Sequence, residues 1–115
     1  MTSIQAPSAK TIAQRLRTLA QLYQQGQASE LMDRTIEKLL AHEASLCREQ
    51  LGKIQSDLVE LEEKYGLSSD EFYRRYQAGQ TDDRMDYVEW ASVVQMRDNL
   101  QERLRILSGE AQSVP

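Results

Sequence analysis

Proline, cysteine and histidine are scarce in this chain, and each scarcity excludes something. The two prolines, Pro7 and Pro115, stand at the ends, so nothing in between breaks a helix. Cys47 is the only cysteine, which rules out an internal disulfide and makes a reducing setting the default. His42 is the only histidine, so a histidine-rich metal centre is excluded. Five helical residues set positions 42 and 47 ~140° apart around the axis, so His42 and Cys47 cannot share a ligand. Strand-favouring clusters of Val, Ile and Thr are missing. There is no Gly-rich phosphate loop and no His or Cys dyad for nucleophilic catalysis. Glu60, Glu62 and Glu63 lack the Glu-x-x-His partners of a di-metal site and read as solvated charges. No apolar run approaches the ~18 residues of a membrane span, and the first residues lack the apolar core of a secretory leader. The expectation is a cytoplasmic protein that is not an enzyme, has no metal or cofactor, and does not enter a membrane.

What remains is helical. The 115 residues are 40% hydrophobic and 28% charged, a balance that suits a folded helical chain better than a disordered one. One helical domain over residues 1–115 is expected, with 1–7 and 109–115 disordered. The formal net charge of −4 gives no general affinity for nucleic acid. Residues 1–29, however, hold Lys10, Arg15 and Arg17 and no acid. An ordinary amphipathic helix accounts for these three; a basic arm touching nucleic acid or an acidic partner is the alternative.

Along the chain, Pro7 and Ser8 suit a helix start. Ile12, Leu16, Leu19 and Tyr23 then recur in steps of four, three and four, which is one helical face. Gln24-Gln25-Gly26-Gln27 ends that helix, and Ser29 caps the next. From there Leu40, Ala44, Cys47, Leu51, Ile54, Leu58, Leu61 and Tyr65 alternate steps of four and three, a heptad seam more than three repeats long. Nearer its start Leu31, Met32, Ile36, Leu39, Leu40 and Leu46 make a wider face, which implies more than one neighbour. The first helix folding back supplies one, and a second copy of the chain the other. Asp33 and Glu37 fall where a strict heptad wants apolar residues.

The stretch from Lys64 to Phe72 is the pivot. Gly66 can take the left-handed conformation that ends a helix. Ser68 and Glu71 have the spacing of a capping box, and Leu67 and Phe72 that of a hydrophobic staple. A short helix over 68–78 follows, closed by Gly79. Thr81 or Asp82 caps a last helix from about Arg84 to Leu107. The fold expected is all-α: a long central helix in an antiparallel, coiled-coil-like hairpin, with three long helices and one short one. So thin a layer buries little core for its length, and a homodimer or a complex with another protein is expected.

Chemistry of the recognition kind gathers just past the pivot. Phe72, Tyr73, Tyr76, Tyr87 and Trp90 lie there with Arg74 and Arg75 among them, and Tyr, Trp and Arg dominate binding hot spots. Phe72 and Trp90 are expected to fill the core at the hairpin tip. Tyr73, Arg74, Arg75 and Tyr76 are the expected exposed set, because a short helix cannot bury every side. Asp86 and Glu89 stand nearby, either pairing with Arg74 or Arg75 or meeting basic groups of a partner. Tyr73, Arg74, Arg75, Tyr76, Asp86, Glu89 and Trp90 together make the candidate partner-binding set.

The run Glu63-Lys64-Tyr65-Gly66-Leu67-Ser68-Ser69-Asp70-Glu71-Phe72-Tyr73-Arg74-Arg75-Tyr76, then Gly79, then Asp86-Tyr87-Val88-Glu89-Trp90, resembles small prokaryotic antitoxin-like proteins whose genes tend to sit beside that of a small toxin-like protein. These share a K-Y-G-[ML]-S-x-x-E-F motif and a D-x-x-E-W-like motif opening the final helix. The resemblance covers roughly residues 61–107, and much of its motif is capping chemistry that any helical hairpin can use. It implies an inhibitor that masks a small toxin through helix contacts, its acidic face against a basic partner. Residues 1–60 lie outside it. Two other readings stay open: a self-assembling coiled-coil adaptor without a toxin, and a repressor touching DNA through the basic first helix.

Overall fold

The computed structural model describes residues 9–109. Among these are four α-helices and no strand: α1 (Ala9–Gln24), α2 (Glu30–Tyr65), α3 (Ser69–Gln77) and α4 (Met85–Leu107). The disorder expected for residues 1–7 and for the tail past Gly109, and the helix start at Pro7 and Ser8, lie outside the described residues. The chain divides into two units, Met1–Lys38 and Leu39–Pro115, which are taken in turn.

In the first unit α1 ends where the Gln27 N–H returns to the Leu22 carbonyl at 2.8 Å, a bond that satisfies a carbonyl orphaned by the end of the helix. Ser29 caps α2, its Oγ accepting from the Met32 N–H at 3.2 Å, with Glu30 and Asp33 in the first turn. Asp33, out of place in a heptad, accepts a hydrogen bond from the Tyr23 hydroxyl at 2.7 Å. That bond, ahead of burial and the Asp33 charge, pushes the phenol up to about 12. Tyr23, Ala20 and Gln24 of α1 line a shallow hollow with Asp33, Ile36 and Glu37 of α2.

In the second unit α2 packs along α4. Tyr65 donates to Asp86 at 2.5 Å, Cys47 Sγ lies 3.2 Å from the Leu100 carbonyl, and Glu43 meets Arg103 at 3.3 Å. Residue numbers fall on one helix as they rise on the other, so the two run antiparallel. Of the eight seam positions, Ala44, Cys47, Leu51, Ile54 and Leu58 are buried, and Leu61 and Tyr65 are half-buried. Leu40 is 43% exposed, so the buried run of the seam starts at Ala44. The helix runs unbroken through Gly52. Ile54 and Leu58 join Phe72, Trp90, Ala91 and Val94 in one core cluster, with Leu67 packed against it.

The turn at Gly66 follows its sequence closely. Gly66 has φ +63, and its N–H and that of Leu67 both return to the Glu62 carbonyl, at 2.8 and 3.3 Å. Ser68 is the N-cap of α3, its side chain accepting from the Glu71 N–H at 3.1 Å. Glu71 turns instead to Arg74 and Arg75, and Glu62 of α2 accepts from the Ser69 N–H at 2.8 Å. Glu62 is therefore a half-buried cap for the next helix and not the solvated charge expected. Arg84 is the N-cap of α4, without a side-chain bond of its own. Asp82 accepts from the Arg84 N–H at 3.0 Å and pairs with its guanidinium, so neither Thr81 nor Asp82 holds the cap position.

Two glycines with open space around them have opposite expected responses. Gly52→Ala, inside a helix, stabilises by about 0.5–1 kcal/mol by removing backbone freedom from the unfolded chain. Gly66→Ala destabilises by about 1–2 kcal/mol, because alanine resists the left-handed region. Urea denaturation of the two variants reads both signs.

Candidate functional site

The tip of the second unit is built around two stacked rings. Phe72 of α3 and Trp90 of α4 lie face to face, centroids 3.9 Å apart and planes 2° apart. Tyr65 also stacks on the indole, at 5.7 Å, and Tyr87 meets Phe72 and Tyr65 at 5.3 and 5.2 Å. Trp90 is 0% exposed, so its indole N–H needs a partner inside the protein. Ser69 Oγ accepts it at 3.0 Å. Ser69 is itself buried and is tied through its own N–H to Glu62, so three helices close on one residue. Sequence reasoning singled out Ser68 as a cap and passed over Ser69; the signal available was a second small hydroxyl one residue into α3.

The candidate residues separate accordingly. Trp90 belongs to the core and, at 0% exposure, offers no surface to a partner. Asp86 does not reach Arg74 or Arg75. It accepts from Lys64 Nζ at 2.7 Å and from the Tyr65 hydroxyl, and these bonds hold its carboxyl below the usual range. Arg84 lies over the Tyr87 ring at 4.5 Å, a cation–π contact on the same side of the tip. Tyr73 is half-buried, its hydroxyl accepting from Gln95 Nε2 at 2.9 Å. Tyr76 is half-buried against Phe72, centroids 5.6 Å apart. Arg74, Arg75 and Glu89 are exposed.

Both arginines spend their charge on one carboxylate. Glu71 receives Arg74 Nη2 at 2.6 Å and Arg75 Nε at 3.1 Å. Helical spacings of three and four bring the side chains together. The hydrogen bonds from Arg74, then Arg75, lower the Glu71 carboxyl from 4.5 to about 2. The surface that results is a short cationic ridge flanked by two tyrosine rings, positioned by the aromatic stack beneath. Among the described residues no group of His, Cys, Asp and Glu could hold a metal ion, and no helix is long and apolar enough to cross a membrane.

Two outcomes follow from this geometry. Ser69→Ala strands a buried indole N–H and costs about 1–3 kcal/mol in chemical denaturation, while far-UV helicity is kept. Glu71 has a depressed folded pKa, so its contribution to stability is present above pH 4.5 and lost as pH falls through about 2. A carboxyl NMR titration places its midpoint near 2, and Arg74→Ala with Arg75→Ala returns it to the ordinary range. The chain matches no family model, no curated protein and no solved structure.

Proposed function

We propose that this chain is a non-enzymatic protein-binding protein, an antitoxin-like inhibitor that masks a small partner toxin in the cytoplasm. The observation that carries this reading is the ridge on α3. Arg74 and Arg75 are exposed and Tyr73 and Tyr76 half-exposed, on a helix whose inner side is pinned by the Phe72–Trp90 stack. A rigid helix with Tyr and Arg outward loses little conformational entropy on docking, which is what binding hot spots exploit. On this reading α2 and α4 form the coiled-coil-like hairpin that holds the ridge, and Glu89 lies at the rim of the docking surface. The resemblance of residues 61–107 to antitoxin-like proteins supports the choice of partner.

A second reading, a homo-oligomeric coiled-coil adaptor, is favoured by one feature: large apolar side chains left exposed along α2 and α4 away from the tip, Leu39, Leu46, Met96 and Ile106 among them. Contact of the basic first helix with nucleic acid is the weakest of the three readings, because the second unit is acidic.

Co-expression with the protein encoded by the adjacent gene separates these readings. The toxin reading expects growth arrest by the neighbour alone, rescue by this chain, and a complex that co-purifies. Arg75→Ala with Tyr76→Ala should weaken that complex by roughly tenfold or more, in line with the loss of one hot spot, with the circular dichroism unchanged. Undiminished co-purification of the double variant removes the ridge from the interface.

A further inference from the structure

We infer that Arg84, at the start of α4, extends the docking surface of the α3 ridge, and that its guanidinium takes a flat aromatic side chain of the partner protein. This rests on the protein-binding reading of α3. The two places meet through one ring. Tyr76 of the ridge and Tyr87 of α4 both pack on Phe72, with centroids 5.6 and 5.3 Å away. Arg84 lies on Tyr87 in turn, its guanidinium carbon 4.5 Å from the centre of that ring and 5.9 Å from that of Tyr65. Tyr and Arg in contact, at the edge of a rigid core, have the composition of a binding hot spot.

The bonds of the guanidinium decide what it can receive. Asp82 accepts from Arg84 Nε at 2.9 Å and from Nη2 at 2.7 Å. The same carboxylate accepts from the Arg84 backbone N–H at 3.0 Å, so the clasp closes within three residues. The side chain nevertheless stays 49% exposed. An incoming carboxylate or phosphate has to displace Asp82 before it can form a two-pronged pair. A ring has nothing to displace, because it lies on the face of a guanidinium and leaves the N–H groups in the plane alone. The arrangement repeats that of the ridge, where Glu71 holds Arg74 and Arg75 while both remain exposed. At each place a carboxylate of the same short segment cancels the charge and fixes the plane. Such a surface selects planar, uncharged groups.

Titration calorimetry with the protein encoded by the adjacent gene tests it. Arg84→Ala should weaken the complex by roughly tenfold or more, the loss of one hot spot, with helicity kept. Arg84→Lys keeps the charge and gives up the flat face, and should weaken it nearly as much. The loss should be the same at low and high salt, since stacking is not screened as an ion pair is. A complex undiminished by Arg84→Ala overturns the inference and leaves the docking role of α3 standing. Full rescue by Arg84→Lys, or a loss that vanishes at high salt, also overturns it, because either makes Arg84 a point charge. Failure of the wild-type chain to bind that protein at all removes the antitoxin reading and this inference together.

Discussion

The stacking of Phe72 on Trp90 is the contact on which the second unit depends. α3 has only nine residues, too few to be stable as a helix on its own. It is held because one large ring lies flat on another, and because Ser69, a turn earlier on the same side, accepts the indole N–H. Dispersion between stacked rings and satisfaction of a buried donor are separate terms, and here they act on adjacent atoms. Among the described residues no buried side-chain polar atom lacks a hydrogen-bond partner. The core at the tip is therefore closed without leaving a described polar side-chain atom unpaired.

How well the sequence revealed this depended on the range of each interaction. Local terms were legible. Gly66, Ser68 and the Leu67–Phe72 spacing act within a few residues, and each can be read from the order of side chains alone. The seam from Ala44 to Leu58 was legible for the same reason, since its period marks the buried side without naming what covers it. Leu40 shows the limit: it keeps the period but not the burial, because a period marks a face and not how far a neighbour covers it. Asp86 shows it again. Opposite charges near in sequence suggested Arg74 and Arg75, yet the antiparallel packing of α2 on α4 puts Lys64 and Tyr65 at Asp86. Ser69 and Glu62 were missed because their roles exist only once three helices have met.

Coverage also explains why one seam serves two kinds of neighbour. Near the pivot α3 and α4 together enclose Ile54 and Leu58. Farther from it α3 is absent, and side chains flanking the seam, Leu46 among them, are exposed. A chain that buries few side chains for its length is marginal by area arguments, which raises the weight of each contact in the buried part of the seam.

On the docking role proposed for α3, Glu71 constrains what the ridge can recognise. An exposed ion pair adds little to stability, commonly below about 1 kcal/mol, so holding the helix together is a weak reason for the Arg74–Glu71–Arg75 cluster. Its stronger effect is on selectivity. A carboxylate arriving from a partner must compete with Glu71 for guanidinium groups already bound, which lowers its gain. An aromatic or amide surface meets no such competitor: it can lie against Tyr73 and Tyr76 and the flat faces of guanidiniums that Glu71 holds in place. The cluster thus fixes two long side chains before binding and removes part of the entropy cost of docking. A partner that gains most here presents apolar or neutral polar groups to α3, and a strongly basic partner is better met by the acidic faces elsewhere on the second unit.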